Sequence, residues 1–71
     1  MIELENELVR ATGLFGPFKS SHEGYAVLLE EVDEMWDEIK RNDITKAREE
    51  ALQVAAMAIR FLMDIQQANS A

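Results

Sequence analysis

Leu29-Glu30-Glu31-Val32-Asp33-Glu34, with Asp37 and Glu38 close behind, sets a block of carboxylates inside an apolar segment. On a helix, Glu31 and Glu34 are neighbours on one face, and Glu38 extends that face by a further turn. Adjacent carboxylates repel unless a cation sits among them. A hard divalent metal, which prefers oxygen ligands, is the simplest such cation. What faces this acidic strip decides both the fold and the chemistry.

The helix carrying the strip starts at Ser20, an N-cap, with Glu23 three residues on to complete a capping box. It should run to about Arg41. At 100° per residue, Tyr25, Leu28, Leu29, Val32, Trp36 and Ile39 share one broad face, with Met35 at its margin. Glu31, Glu34 and Glu38 flank that face, whereas Glu30, Asp33 and Asp37 lie further round, toward solvent. Asn42-Asp43 is a short break, and Asp43 is a good N-cap for the next helix. So short a connection makes the two helices an antiparallel hairpin. The later helix spans about Ile44 to Gln66. From Ala51 to Ile65 it is apolar nearly all round, which predicts burial on most sides. One other long helix cannot cover it, so the chain is expected to self-associate as a dimer or tetramer. Ala51, Ala55, Ala56 and Ala58 would let neighbours approach closely.

One stripe of this last helix is polar. Lys46, Glu50, Gln53, Arg60 and Asp64 fall in a narrow arc, with Met57 among them. Polar groups on a buried helix need partners. Glu34 stands eight residues before Asn42 and Glu50 eight after it, so a hairpin sets Glu31 and Glu34 level with Glu50 and Gln53. Three carboxylates and an amide then converge from two helices. Such a site suits Mg²⁺ or Mn²⁺, completed by waters and phosphate oxygens of a substrate. Arg60, Lys46 and Lys19 are the basic residues available to orient phosphates, helped by Lys40 or Arg48. Glu30, beside the ligand pair, is placed to hold or deprotonate an attacking water.

Ahead of the hairpin, Ile2 to Thr12 reads as a short helix, with Leu4, Leu8 and Ala11 on one face and Gly13 as its stop. Gly13 to Ser21 is a loop with a turn at Gly16-Pro17, flanked by Phe15 and Phe18. Two readings of these rings stand side by side. One is a loop pinned onto the core; the other is a lid whose rings stack on a flat ligand. Phe15, Phe18, Trp36 and Met57 are the side chains that would line a ligand pocket.

Seventy-one residues make a single domain over 1–71. Without cysteines there are no disulfides and no thiolate metal sites. A net charge of -7 argues against nucleic acid or an anionic membrane as partner. It leaves phosphorylated small molecules open, provided a metal bridges the like charges. No apolar run reaches the length of a membrane span, and Met1-Ile2-Glu3-Leu4-Glu5 has no basic leader region. A cytoplasmic location is the expectation. With 48% hydrophobic residues the chain is too apolar to be disordered.

Blander readings compete with each of these assignments. Acidic runs on helices are commonly solvated faces. His22, at a helix start, fits a local polar contact. Tyr25 and Trp36 fit a core, and Arg60 with Asp64 fits a buried ion pair that fixes packing.

The residues also resemble a known family. Glu30-Glu31-Val32-Asp33-Glu34 follows an EExxE pattern, and Glu50-Ala51-Leu52-Gln53 stands where that family has ExxD. Together they resemble the all-α nucleoside triphosphate pyrophosphohydrolase superfamily, which includes the MazG-type enzymes. Phe15-Gly16-Pro17-Phe18-Lys19-Ser20-Ser21-His22-Glu23-Gly24-Tyr25-Ala26 and Gln53-Val54-Ala55-Ala56-Met57-Ala58-Ile59-Arg60-Phe61 are similar to stretches of small MazG-like proteins. The resemblance covers roughly residues 15 to 65. It implies Mg²⁺-dependent cleavage between the α and β phosphates of a nucleotide, yielding a monophosphate and pyrophosphate. It implies Glu31, Glu34, Glu50 and Gln53 as metal ligands. Gln53 replaces an acid, so metal affinity should fall. Family members often carry a further helix that closes the site; here either a second protomer supplies that wall or the protein is a reduced, inactive relative.

The expectation is therefore an all-α protein, an antiparallel helical hairpin with a short N-terminal helix, assembling into an oligomeric bundle. Its expected activity is nucleotide pyrophosphohydrolysis in a house-cleaning role, with Glu30 and Glu34 handling the water, and Lys19, Lys46, Arg60, Phe18 and Trp36 the substrate. The alternative is a non-catalytic oligomeric module on the same scaffold. A redox bundle of the ferritin-like kind, which needs a Glu-x-x-His pattern, ranks last, because His22 lies far before the acidic cluster.

Overall fold

The computed structural model describes residues 2–14 and 16–66. They form α1 (Ile2–Leu14), α2 (Ser21–Lys40) and α3 (Ile44–Asp64), with no strand among the described residues. Phe15 and the polar tail from Asn69 lie outside the described residues. α1 continues through Gly13, the expected stop, to Leu14. A single glycine weakens a helix by about 1 kcal/mol, too little to end one.

Both long helices start where side-chain chemistry says they should. Ser20 caps α2 by accepting from the Glu23 backbone N–H at 3.1 Å. The return half of the capping box is displaced by one residue: Glu23 Oε1 accepts from the backbone N–H of Lys19, not of Ser20, at 2.7 Å. Asp43 caps α3 by accepting from the Lys46 N–H at 3.0 Å. Between the helices, Asn42 takes the left-handed conformation with φ 59°. Asn42 N–H donates to Ile39 O and Asp43 N–H to Glu38 O, each at 3.0 Å. This is a Schellman closure with Asn at the position usually held by Gly.

α2 packs along α3, and among the described residues α1 packs against α3 rather than α2. The core is small: Phe18, Ala56 and Met57, with Leu4, Val27, Leu28, Phe61 and Ile65 packed on it. Gly24 is buried where α2 crosses the Phe61 ring. α3 presents Ala47, Ala56, Met57 and Arg60 to the interior, but Leu62 and Met63 are exposed.

The apolar face expected of α2 divides in two. Val27 and Leu28 pack on the core, and Met35 is half-buried. Tyr25, Leu29, Val32, Trp36 and Ile39 are exposed in the single chain, so Tyr25 and Trp36 are not core residues within it. These five alternate at spacings of four and three, the seam repeat of a coiled coil.

Candidate functional site

Glu31 and Glu34 project from the middle of α2, and Glu50 from the second turn of α3, onto one point. One carboxylate oxygen from each lies within 4.8 Å of the other two. The Asn42 turn sets this register, because it fixes how far each helix runs before meeting the other. Glu50 Oε2 is enclosed and has no hydrogen-bond partner. An enclosed acceptor left unpaired costs about 1–3 kcal/mol.

Electrostatics follow from the crowding. Burial first, then the charge of Glu34, pushes the Glu31 carboxyl up to about 7. Glu50 is also held above the ordinary carboxylate range, by burial first and then by Glu34. Crowding of like charges with partial burial disfavours full ionisation of the trio.

The trio borders a cavity of about 720 Å³ that also takes in Glu30, Gln53, Phe18, Lys19, Met57 and Arg60. Seven of the residues expected at a site therefore share one cavity with Glu31 and Glu50. Trp36 and Lys46 do not line it. Trp36 lies on the outer seam of α2 with Lys40 Nζ 5.7 Å from its ring centre. Lys46 is exposed in the first turn of α3. Glu38, the third flanking acid, is turned to an ion pair with Arg41 at 3.2 Å. His22 is exposed beside a shallow hollow formed with Tyr25, Leu28 and Phe61.

Arg60 is buried among loop and helix groups. It donates to the Gly16 carbonyl and to Met57 Sδ, and pairs with Asp64 at 4.0 Å. Its guanidinium covers the Phe18 ring, and Asp64 accepts from the Phe18 N–H at 2.9 Å. Phe18 itself is buried, so this ring is pinned to the core and is not a free lid.

Two residues of α1 join the site without having been foreseen. Arg10 borders the cavity and donates to Gln53 Oε1 at 3.4 Å. Glu7 accepts from Arg10 through both carboxylate oxygens. The Arg10 contact holds the Glu7 carboxyl below the usual range, with Gln53 adding a smaller effect. The Glu7/Arg10 spacing of three was visible as a helical pair, but nothing in the sequence says where α1 docks.

The donor set is hard oxygen, the kind Mg²⁺ and Mn²⁺ prefer. A divalent cation bound by Glu31, Glu34 and Glu50 would give Glu50 Oε2 a partner and relieve the repulsion within the trio. Among the described residues, no helix is long and apolar enough to cross a membrane. No family model matches the chain, and neither the curated proteins nor the solved structures include a match.

Proposed function

We propose that the protein is a divalent-metal-dependent nucleotide pyrophosphohydrolase, as its resemblance to the MazG-like enzymes implies. The observation that carries this reading is the unpartnered Glu50 oxygen within a trio of carboxylates at the edge of a cavity. Glu31, Glu34 and Glu50 would hold Mg²⁺ or Mn²⁺, with Gln53 as a neutral oxygen donor beside them. The bound metal supplies charge that polarises a phosphoryl oxygen and acidifies a water. Glu30, exposed at the cavity and next to Glu31, accepts the proton of the attacking water. The water oxygen bonds to the α-phosphorus, the bond to the α–β bridging oxygen breaks, and monophosphate and pyrophosphate leave. Glu34 serves both as ligand and in positioning that water. Lys19 meets the phosphates at the rim, while Arg60 shapes the wall by holding Phe18.

The exposed seam of α2 supports self-association. Tyr25, Leu29, Val32, Trp36 and Ile39 would pack against a second copy of the α2–α3 hairpin, forming a dimer or tetramer in which Trp36 becomes buried. The same seam favours the second reading, an oligomeric module without catalysis. A pyrophosphate-release assay over a panel of nucleoside triphosphates with Mg²⁺ or Mn²⁺ separates the two. The first reading expects release that is lost in Glu50→Gln. No release from any nucleotide at any metal concentration leaves the module.

A further inference from the structure

We propose that Arg10 of α1 grips the phosphate chain of the ligand, and that Glu7 and Gln53 hold it in place until a polyphosphate displaces them. This rests on the metal-centre reading above and assigns a residue to it that neither the resemblance nor the sequence named. A carboxylate trio with one divalent cation keeps a net negative charge. A triphosphate approaching it needs further positive charge within contact distance.

Three cations line the cavity among the described residues: Arg10, Lys19 and Arg60. Arg60 is buried, donating to Gly16 and Met57 and paired with Asp64. Moving it would strip Phe18 of its cover. Lys19 is an exposed point charge on the loop. Arg10 is half-exposed, and its Nη2 reaches Gln53, the residue one turn beyond Glu50 on α3. Its Nε and Nη2 face Glu7 and Gln53, while Nη1 makes no hydrogen bond among the described residues. A planar guanidinium with donors to spare is suited to bidentate phosphate contact.

α1 carries Arg10 to the rim of the cavity, with Leu4 of the same helix packed on the core. Among the described residues α1 meets α3 and not α2, so Arg10 can change acceptors within the cavity by side-chain rotation while the α2–α3 contact that sets the trio is kept. Glu7 keeps the guanidinium extended and oriented meanwhile. Phosphate oxygens replace Glu7 as its acceptors, and Gln53 regains a free carbonyl oxygen.

Calorimetric titration of the full chain with inorganic tripolyphosphate in saturating Mn²⁺, beside titration with Mn²⁺ alone, tests this. Arg10→Gln should weaken tripolyphosphate binding about tenfold, the loss of a charge-assisted contact, and leave Mn²⁺ binding no weaker than in the parent. Arg10→Lys should recover part of the loss, and it supplies the readout if Arg10→Gln fails to fold by circular dichroism. Glu7→Gln should tighten tripolyphosphate binding. If Arg10→Gln binds tripolyphosphate like the parent while Mn²⁺ still binds, or, where Arg10→Gln does not fold, Arg10→Lys does so, the Arg10 assignment is overturned and the metal centre stands. If the parent takes up no Mn²⁺, both fall together.

Discussion

The Arg60 guanidinium lies 4.5 Å from the centre of the Phe18 ring, so a residue deep in α3 holds the loop that precedes α2. The same arginine donates to the Gly16 carbonyl, and its neighbour Asp64 takes the Phe18 N–H. One buried cation and its acidic neighbour thus tie down two loop residues, Gly16 and Phe18. Arg60→Ala leaves Asp64 and the Gly16 carbonyl unpaired and uncovers Phe18. It should cost about 3 kcal/mol or more of folding stability, with Arg60→Lys intermediate because an ammonium lacks the planar fork. Urea denaturation measures this, and a loss of well under about 1 kcal/mol would mean the arginine is not a structural tie.

Gly24 gives a second stability test. A Cβ there would sit 2.6 Å from Phe61 Cδ2 and 3.2 Å from Phe18 Cδ2. Alanine favours the helix by about 1 kcal/mol, but forcing the rings apart costs roughly 1–3 kcal/mol. Gly24→Ala should therefore lower stability by about 1 kcal/mol net, read by the same denaturation. A gain in stability would show that Phe61 moves aside freely.

The trio should make the metal-free protein sensitive to pH. Glu31 is raised to about 7 by burial and by Glu34, so the folded state binds its proton more tightly than the unfolded chain does. That contribution is fully present below the ordinary carboxylate pKa and is lost as pH rises through 7. In chelator, Tm should fall between about pH 5 and pH 8, and Glu31→Gln should flatten the slope. Divalent metal should restore stability at the upper end, because it replaces the proton. A Tm in chelator that stays level across this interval would contradict the crowding described.

Self-association is tested on the α2 seam. Leu29→Glu and Trp36→Glu place charge where a second copy would pack, on residues already exposed in the single chain. Sedimentation velocity should show these variants shifted toward monomer with helicity retained. If their mass matches that of the parent, the seam is not the contact.

Much of this was legible before any coordinates. Ser20 and Asp43 named both helix starts because each offers an oxygen to an otherwise unpaired N–H. The break at Asn42 fixed the register that brings Glu31, Glu34 and Glu50 together. Periodicity could not decide which half of the α2 apolar face meets α3. Leu28 and Leu29 look alike by type, yet Leu28 packs on the core and Leu29 is exposed. Nor could it show that Arg60 would be spent on the loop, because its partners Gly16 and Phe18 lie 44 and 42 residues away in sequence. Arg10 stayed hidden for the same reason: the docking of α1 is a tertiary fact.

The central claim is that Glu31, Glu34 and Glu50 share a divalent cation. Titration of the purified chain with Mn²⁺, followed by electron paramagnetic resonance of the free ion, tests it most directly. Stoichiometric uptake by the parent that weakens at least about tenfold in Glu50→Gln is the predicted result. Uptake that is absent in the parent, or undiminished in Glu50→Gln, would contradict it.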